Sequence, residues 1–393
     1  MSPLGVAIPA INPEHLKRLV AWLLPAVLLA SVGFAAPAQA ADPVACGSIL
    51  TVDTKLTKDL YCPSGDGLTL GANVHLNLGG HRLVGPGSSG TGIASSSGGI
   101  SIRNGEVKNW ATGIGLDIDT SQSVDPVSVA DVVLRRAPSI IQFGSTLELT
   151  RVTAIDSPVR GELGGNLRIA RSAFARSSIF VFFSSATIAR STLVASTVGS
   201  SGAGEISIDR SRLDGRRTTR LGEVSETGIT ITNSTVKNYK YPISGYYGGA
   251  TLAHNTFTDM QQGVLTDISS GLGSEGTATV TGNTFIRSGV VLDPHIPMVL
   301  ENNIFRHNKD VAIFTGSTLP GGEMWAPGRA ANNVMVRNRG TGISSDLPGL
   351  IVSGNTARYN AGYGIYAPSA VDLGANSARG NKLGQCVGVV CKK

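Results

Sequence analysis

The chain is 393 residues long, enough for one large domain or two ordinary ones, with 50 glycines, 15% charged residues and a net charge of +6. That much glycine, with Ser, Thr and Asn throughout, argues against long helices and for many short strands joined by tight turns. No Lys/Arg-rich run and no interleaving of basic with aromatic residues occurs, which argues against nucleic acid, whereas a mild basic excess suits an anionic polymer.

At the N-terminus, Lys17 and Arg18 precede an apolar run over 19–30, and Ala38-Gln39-Ala40 places small residues before Ala41. This is the pattern of a signal peptide spanning 1–40. A membrane anchor is the alternative reading, but the apolar stretch is marginal in length and contains Pro25. The mature chain is therefore expected to be secreted (extracellular or periplasmic), without membrane insertion, and a monomer. Residues 41–73 lack an obvious repeat and are read as an N-terminal cap, since an open solenoid end exposes strand edges.

From Val74 onward the chain repeats itself about every twenty residues, giving about 13 coils. Leu147 opens LELTRVTA, Leu167 opens LRIARSAF, Ala250 opens ATLAHNTF, Ala278 opens ATVTGNTF and Met298 opens MVLENNIF. Apolar and polar residues alternate at the start of each unit, which is strand period. The sixth position becomes Asn in later units (Asn255, Asn283, Asn303, Asn333, Asn355, Asn376), and the eighth is apolar, as at Phe257, Phe285 and Phe305. A further strand follows, often opened by Gly-Ile or Gly-Val, as at Gly113, Gly263 and Gly289. Asparagines piled at an internal turn can bond to their own copies, and piled Phe fills the interior.

The four cysteines sit at the two extremes, Cys46 and Cys62, then Cys386 and Cys391. Export favours disulfides, and four cysteines permit three pairings. At ~4.8 Å per coil the two pairs lie ~60 Å apart, so local bridges Cys46–Cys62 and Cys386–Cys391 are expected. Zinc is the alternative, although no histidine lies near either pair at ligand spacing.

The N-x-x-(F/V) and G-(I/V) elements over 74–381 resemble the right-handed parallel β-helix repeat family, of the pectate-lyase-like superfamily. The resemblance implies an all-β, single-stranded right-handed parallel β-helix with three parallel sheets per coil and an outer face often used for sugar polymers. Residues 382–393 are then a C-terminal cap, closed like the other end by its own disulfide.

Counting from the glycine that opens the later strand, the fourth residue on emerges outward. That place holds Asp117, Asp267, Asp293 and Asp346, with Tyr246 and Thr315 in intervening coils. Asp267 and Asp293 in neighbouring coils are expected roughly 5 Å apart, where such a pair would raise one pKa or bind a cation such as Ca2+. The longer segments 268–277 and 316–327 should stand as walls around a floor at Asp293-Pro294-His295. The second wall carries Glu323 and Trp325, with Arg329 after it, and a Trp beside a groove suits a sugar ring. Arg287 and His307, on nearby coils, are further candidates for contact with an anionic sugar, as is Tyr246.

Asp-Pro-His after a Gly-apolar strand is similar to the active-site motif of mannuronan C5-epimerases. That likeness implies catalytic roles for Asp293 and His295; Asp267, expected in the neighbouring coil, is a further candidate that assists in neutralising the substrate carboxylate. The epimerases' Tyr three residues before the Asp is Val290 here, their acidic residue after the His is Ile296, and their Asp one coil onward is Thr315. Two readings of function follow. One is a protein that binds and modifies a uronic-acid-containing polysaccharide by lyase or C5-epimerase chemistry. The other is a non-catalytic carbohydrate-binding or cell-surface scaffold.

Overall fold

The computed structural model describes residues 44–118, 125–142, 144, 146–202, 204–217, 219–226, 228–246, 249–269, 277–292, 298–309, 312–314 and 328–392. All regular structure among them is short parallel strand, wound into a solenoid of about 14 turns. Each coil contributes to three ladders. In the coil at Thr146–Thr150 the first strand pairs with Asn166–Ala170, the second, Thr153–Ile155, with Ala173–Ala175, and the third, Val159–Glu162, with Ile179–Phe182. The first and second ladders merge near the N-terminal end, where Ser101–Lys108 and Val127–Arg135 run straight through the corner and serve both.

The winding starts earlier than the sequence suggests. Ser48 already pairs with Leu68, Thr54 with Leu76 and Leu60 with Leu83, so the disulfide-closed segment before Val74 is itself strand-paired to the coils it covers. Its sequence lacks the repeat's signature residues, and the pairing partners reveal the winding. At the other end, Gly384–Val387 and Cys391–Lys392 continue the third and second ladders. Both expected disulfides are present, Cys46–Cys62 with Cα atoms 5.7 Å apart and Cys386–Cys391 with 6.2 Å.

Two corners of each coil turn through a left-handed residue. The first corner runs Arg151, Arg171, Arg190, Arg210, Asn233, His254, with φ between 46° and 57°. The second includes Asp156, Arg176, Asn238, Asp259, Arg287 and His307. Such a conformation costs an L-residue about 1–2 kcal/mol, least for Asn and Asp. The ladder tolerates it because the corner amides still reach the next coil: Arg151 N donates to Ala170 O at 3.1 Å and Arg171 N to Ala189 O at 3.0 Å.

Immediately after most of these corners a polar side chain turns inward and is buried. The expected asparagine column is there, with Asn255 N donating to Asn283 Oδ1 at 2.8 Å and Asn283 N to Asn303 Oδ1 at 2.9 Å. It continues toward the N-terminus as serines, since Ser172 N donates to Ser191 Oγ and Ser191 N to Ser211 Oγ, both at 3.1 Å. A second column, not evident in the repeat, lines the other corner through Ser288, Asn308, Asn338, Asn360 and Asn381. Beside them Phe257, Phe285 and Phe305 stack with centroids 5.1 and 4.7 Å apart, a gain of about 0.5–1.5 kcal/mol per pair beyond burial. Trp110 and Tyr239 fill the second corner in two coils, and a side chain at Gly85 or Gly215 would collide with those rings.

A basic face and cleft as the candidate functional site

From Thr153 to Arg358 the second ladder has only three residues per strand. The middle one, such as Ala154, Phe174 or Leu193, points inward, and its flanks point out together with the two corner residues. The sequence places its cations there. Between 131 and 383, this strand and its corners carry about half of the chain's 33 Lys and Arg, against the carboxylates Asp131, Asp156, Asp214 and Asp259 among the described residues.

Three of those carboxylates are each clasped by an arginine one coil on. Arg151 donates to Asp131 through Nε and Nη2, both at 2.6 Å, and Arg176 to Asp156 at 2.6 and 2.8 Å. Arg287 holds Asp259 at 2.5 and 2.8 Å. These side-chain hydrogen bonds keep all three carboxyls below the usual carboxylate range. Asp214 is nearly buried, and burial alone would push its pKa up. Hydrogen bonds from Asn238, the Arg216 amide and Lys237 outweigh that and leave it lowered. Arg136, Arg171, Arg190, Arg212, Arg217 and Arg339 have no side-chain ion pair or hydrogen bond among the described residues. Once the local pairs are satisfied, a surplus of guanidinium groups faces solvent.

The face deepens into a cleft of about 500 Å3 around Arg217, Arg287, His307, Lys309 and Arg339, with Asp259 the carboxylate among its lining residues. That volume is ordinary for a small-ligand or sugar-binding site. Its cause is local. The coil of Arg287 passes from corner to third ladder through Ser288-Gly289 alone, while the coils on either side use the longer links 260–263, 308–311 and 338–342. The corners are locked underneath: Met260 N donates to Ser288 Oγ at 3.0 Å and Ser288 N to Asn308 Oδ1 at 2.5 Å.

Two of the residues expected from sequence, Arg287 and His307, are thus brought together. Arg329 is elsewhere, on the first ladder, with Nε 2.8 Å from Glu301. Tyr246 does not align with Asp267. The register shifts between Ile243 and Gly245, so Tyr246 stands opposite Ser269, and Thr266 with Asp267 together face Ser244 in a bulge. Counting from a glycine cannot detect an inserted residue, which explains the discrepancy. The column of Asp117 likewise leads through Gln142 and Glu162 to Phe182 and Ser201. The third ladder breaks next to the bulge: an 11-stranded sheet ends at Leu265–Ser269 and a 5-stranded sheet begins at Val290–Leu292. Asp293, His295, Glu323 and Trp325 lie outside the described residues, as do the side chains of Asp267 and Tyr246. Among the described residues no group of His, Cys, Asp and Glu could hold a metal ion, and the expected Ca2+ position falls on the undescribed pair.

Sequence reading missed Arg217, Asp259, Lys309 and Arg339. Aligning the repeats on the left-handed corners, instead of on the strands, would have put Asp259, Arg287 and His307 in one row.

Fold and face together define a parallel β-helix with one strongly basic side. Over residues 177–390 the chain matches the family described as Right handed beta helix region, and it belongs to that family. No curated protein and no solved structure matches it.

Proposed function

We propose that this is an exported β-helix that binds a uronic-acid-containing polysaccharide through the basic face of its second ladder. The observation that carries the reading is the surplus of arginines and lysines over carboxylates on that face, deepest at the cleft where Arg217, Lys309 and Arg339 surround the Arg287–Asp259 pair. Guanidinium forks match carboxylates, and the arginine rows over 131–217 have no outward aromatic side chain on which nucleobases could stack. The export signal pattern and the absence of free cysteine among the described residues suit an oxidising compartment. Binding of the mature chain to polyuronate, esterified polyuronate and a neutral glucan, followed by calorimetry at rising salt, tests this. Tight, salt-weakened binding to polyuronate alone is expected, and equal affinity for the neutral glucan would overturn the proposal.

A second reading, modification of the bound polymer, is favoured by the bulge at Asp267 and the ladder break beside it. Strand irregularities of that kind recur next to active sites. In this reading a base at Asp293 or His295 takes the C5 proton of a uronate whose carboxylate is neutralised nearby. A lyase then expels the C4 oxygen substituent, which takes up a proton to leave as an alcohol, as the C4–C5 double bond forms, and an epimerase returns a proton to the opposite face of C5. Ultraviolet absorbance of unsaturated ends detects the first, and solvent proton exchange at C5 the second. A flat result for wild type in both assays, indistinguishable from His295→Ala, leaves binding alone.

A further inference from the structure

Arg151, Arg171, Arg190 and Arg210 occupy the first left-handed corner in four successive coils, with φ of 55°, 52°, 51° and 46°. The backbone ladder runs unbroken beneath them: Arg151 N donates to Ala170 O, Arg171 N to Ala189 O and Arg190 N to Asp209 O, at 3.1, 3.0 and 3.0 Å. One exposed guanidinium therefore recurs per coil, at a rise of ~4.8 Å. The outer members are neutralised, Arg151 by Asp131 at 2.6 Å and Arg210 by Asp209 at 3.5 Å. Arg171 and Arg190, between them, have no acidic partner among the described residues.

The fold does not need arginine at this corner. Elsewhere the same corner is filled by Asn233, Asn302 and Asn332, which accept a left-handed φ with less strain, or by Gly282 and Gly354. Stacked cations also repel one another at this spacing. Four arginines in succession thus carry two penalties without a structural return. Beside Arg151, Arg171 and Arg190 the second ladder presents small or aliphatic groups, Thr153, Ala173 and Thr192, then Ile155, Ala175 and Val194. They form a low floor along the coil axis, which ends in the coil of Arg210 at Arg212 and Asp214.

We infer that this column is a track for a contiguous polyuronate lying parallel to the coil axis, with Arg171 and Arg190 each holding one carboxylate of successive sugars. The inference rests on the polyuronate-binding reading and adds the polymer's direction and charge pattern. A (1→4)-linked pyranose advances its chain by about one coil height, so a carboxylate on every ring keeps step with the rungs, and interrupted charge does not.

The test uses the mature chain, a length series of oligogalacturonates, and two pectins of equal mean charge with blockwise or random methyl esters. Arg171→Asn/Arg190→Asn keeps the corner geometry. Arg337→Asn/Arg358→Gln removes the same charge from a distant part of the face. Calorimetry should show the first pair weakening binding roughly tenfold and lowering the salt dependence, the second pair by less than about threefold, with unfolding midpoints unchanged. Wild type should prefer the blockwise pectin, and the Arg171/Arg190 pair should lose that preference. Equal losses in the two pairs, or no preference between pectins, would overturn the track while leaving polyuronate binding intact. A wild type that binds no polyuronate at all removes both.

Discussion

The polar column at the first corner is written in two alphabets, serine from Ser172 to Ser234 and asparagine from Asn255 to Asn376. A serine such as Ser191 accepts the amide of Ser172 in the previous coil, then spends its own proton locally, on Ala189 O at 2.8 Å. An asparagine such as Asn303 accepts the Asn283 amide at 2.9 Å, and its Nδ2 donates back to Val280 O at 2.8 Å and forward to Asn333 Oδ1 at 3.0 Å. Serine therefore links two coils, and asparagine links three. The asparagine half is also where the long insertions leave the coil. Asn255 and Asn283 are 28 residues apart and Asn303 and Asn333 are 30 apart, yet their bonds are 2.8 and 3.0 Å long. A corner stitched three coils deep holds register while the segments beyond it vary, and this half contains the cleft.

The comparison can be broken most severely in the interior. Phe285→Ala should cost about 3–5 kcal/mol, because it opens a void in a stack whose other members, Phe257 and Phe305, cannot both collapse into it. Leu193→Ala, at the equivalent place in the serine half, should cost less, about 2–4 kcal/mol. Urea unfolding midpoints at constant slope measure both.

Next in size is the corner column. Asn303→Ala strands the Asn283 amide and Val280 O in the interior, a loss of about 2–4 kcal/mol, whereas Ser191→Ala strands chiefly the Ser172 amide, about 1–2 kcal/mol. If denaturant unfolding showed the two equal, the proposed difference between linking two coils and linking three would be wrong. Asn303→Ser should fall between them, since it restores an acceptor and leaves Val280 O unmet.

The smallest effects belong to the surface ion pairs, which should not tell the halves apart. Asp156, clasped by Arg176, and Asp259, clasped by Arg287, both have lowered carboxyl pKa values. A lowered folded value means the stabilisation is present above the ordinary carboxylate pKa of about 4 and disappears as the pH falls through the lowered one. Asp156→Asn and Asp259→Asn should each flatten the acid side of the stability profile slightly and by similar amounts. The clearest window lies in the first coils. There the Arg82 backbone amide and guanidinium, helped by Tyr61, hold Asp59 down to about 2, so its contribution fades between about pH 4 and about pH 2. Thermal unfolding across that range, with and without Asp59→Asn, checks the sign.

Much of this molecule was legible because a solenoid makes sequence neighbours at one period into spatial neighbours. The strand period, the Asn column, the Phe stack and the local disulfides are all short-range patterns repeated at a fixed offset, and stacking in register was enough to place them. The repeat did not disclose what lies between aligned strands. An inserted residue at Asp267 shifts a ladder without altering the local alternation, and the coil over 48–70 pairs without resembling its neighbours. The basic face is the plainest case. Outside the stretch 210–220, most of its arginines come one or two to a coil, about twenty residues apart, so their sharing of a face is hard to see along the chain. The chain by itself determined the period and the interior, because burial selects residue type locally. Only the winding decided which charges share a face, because that depends on the angle at which each corner turns its side chain outward.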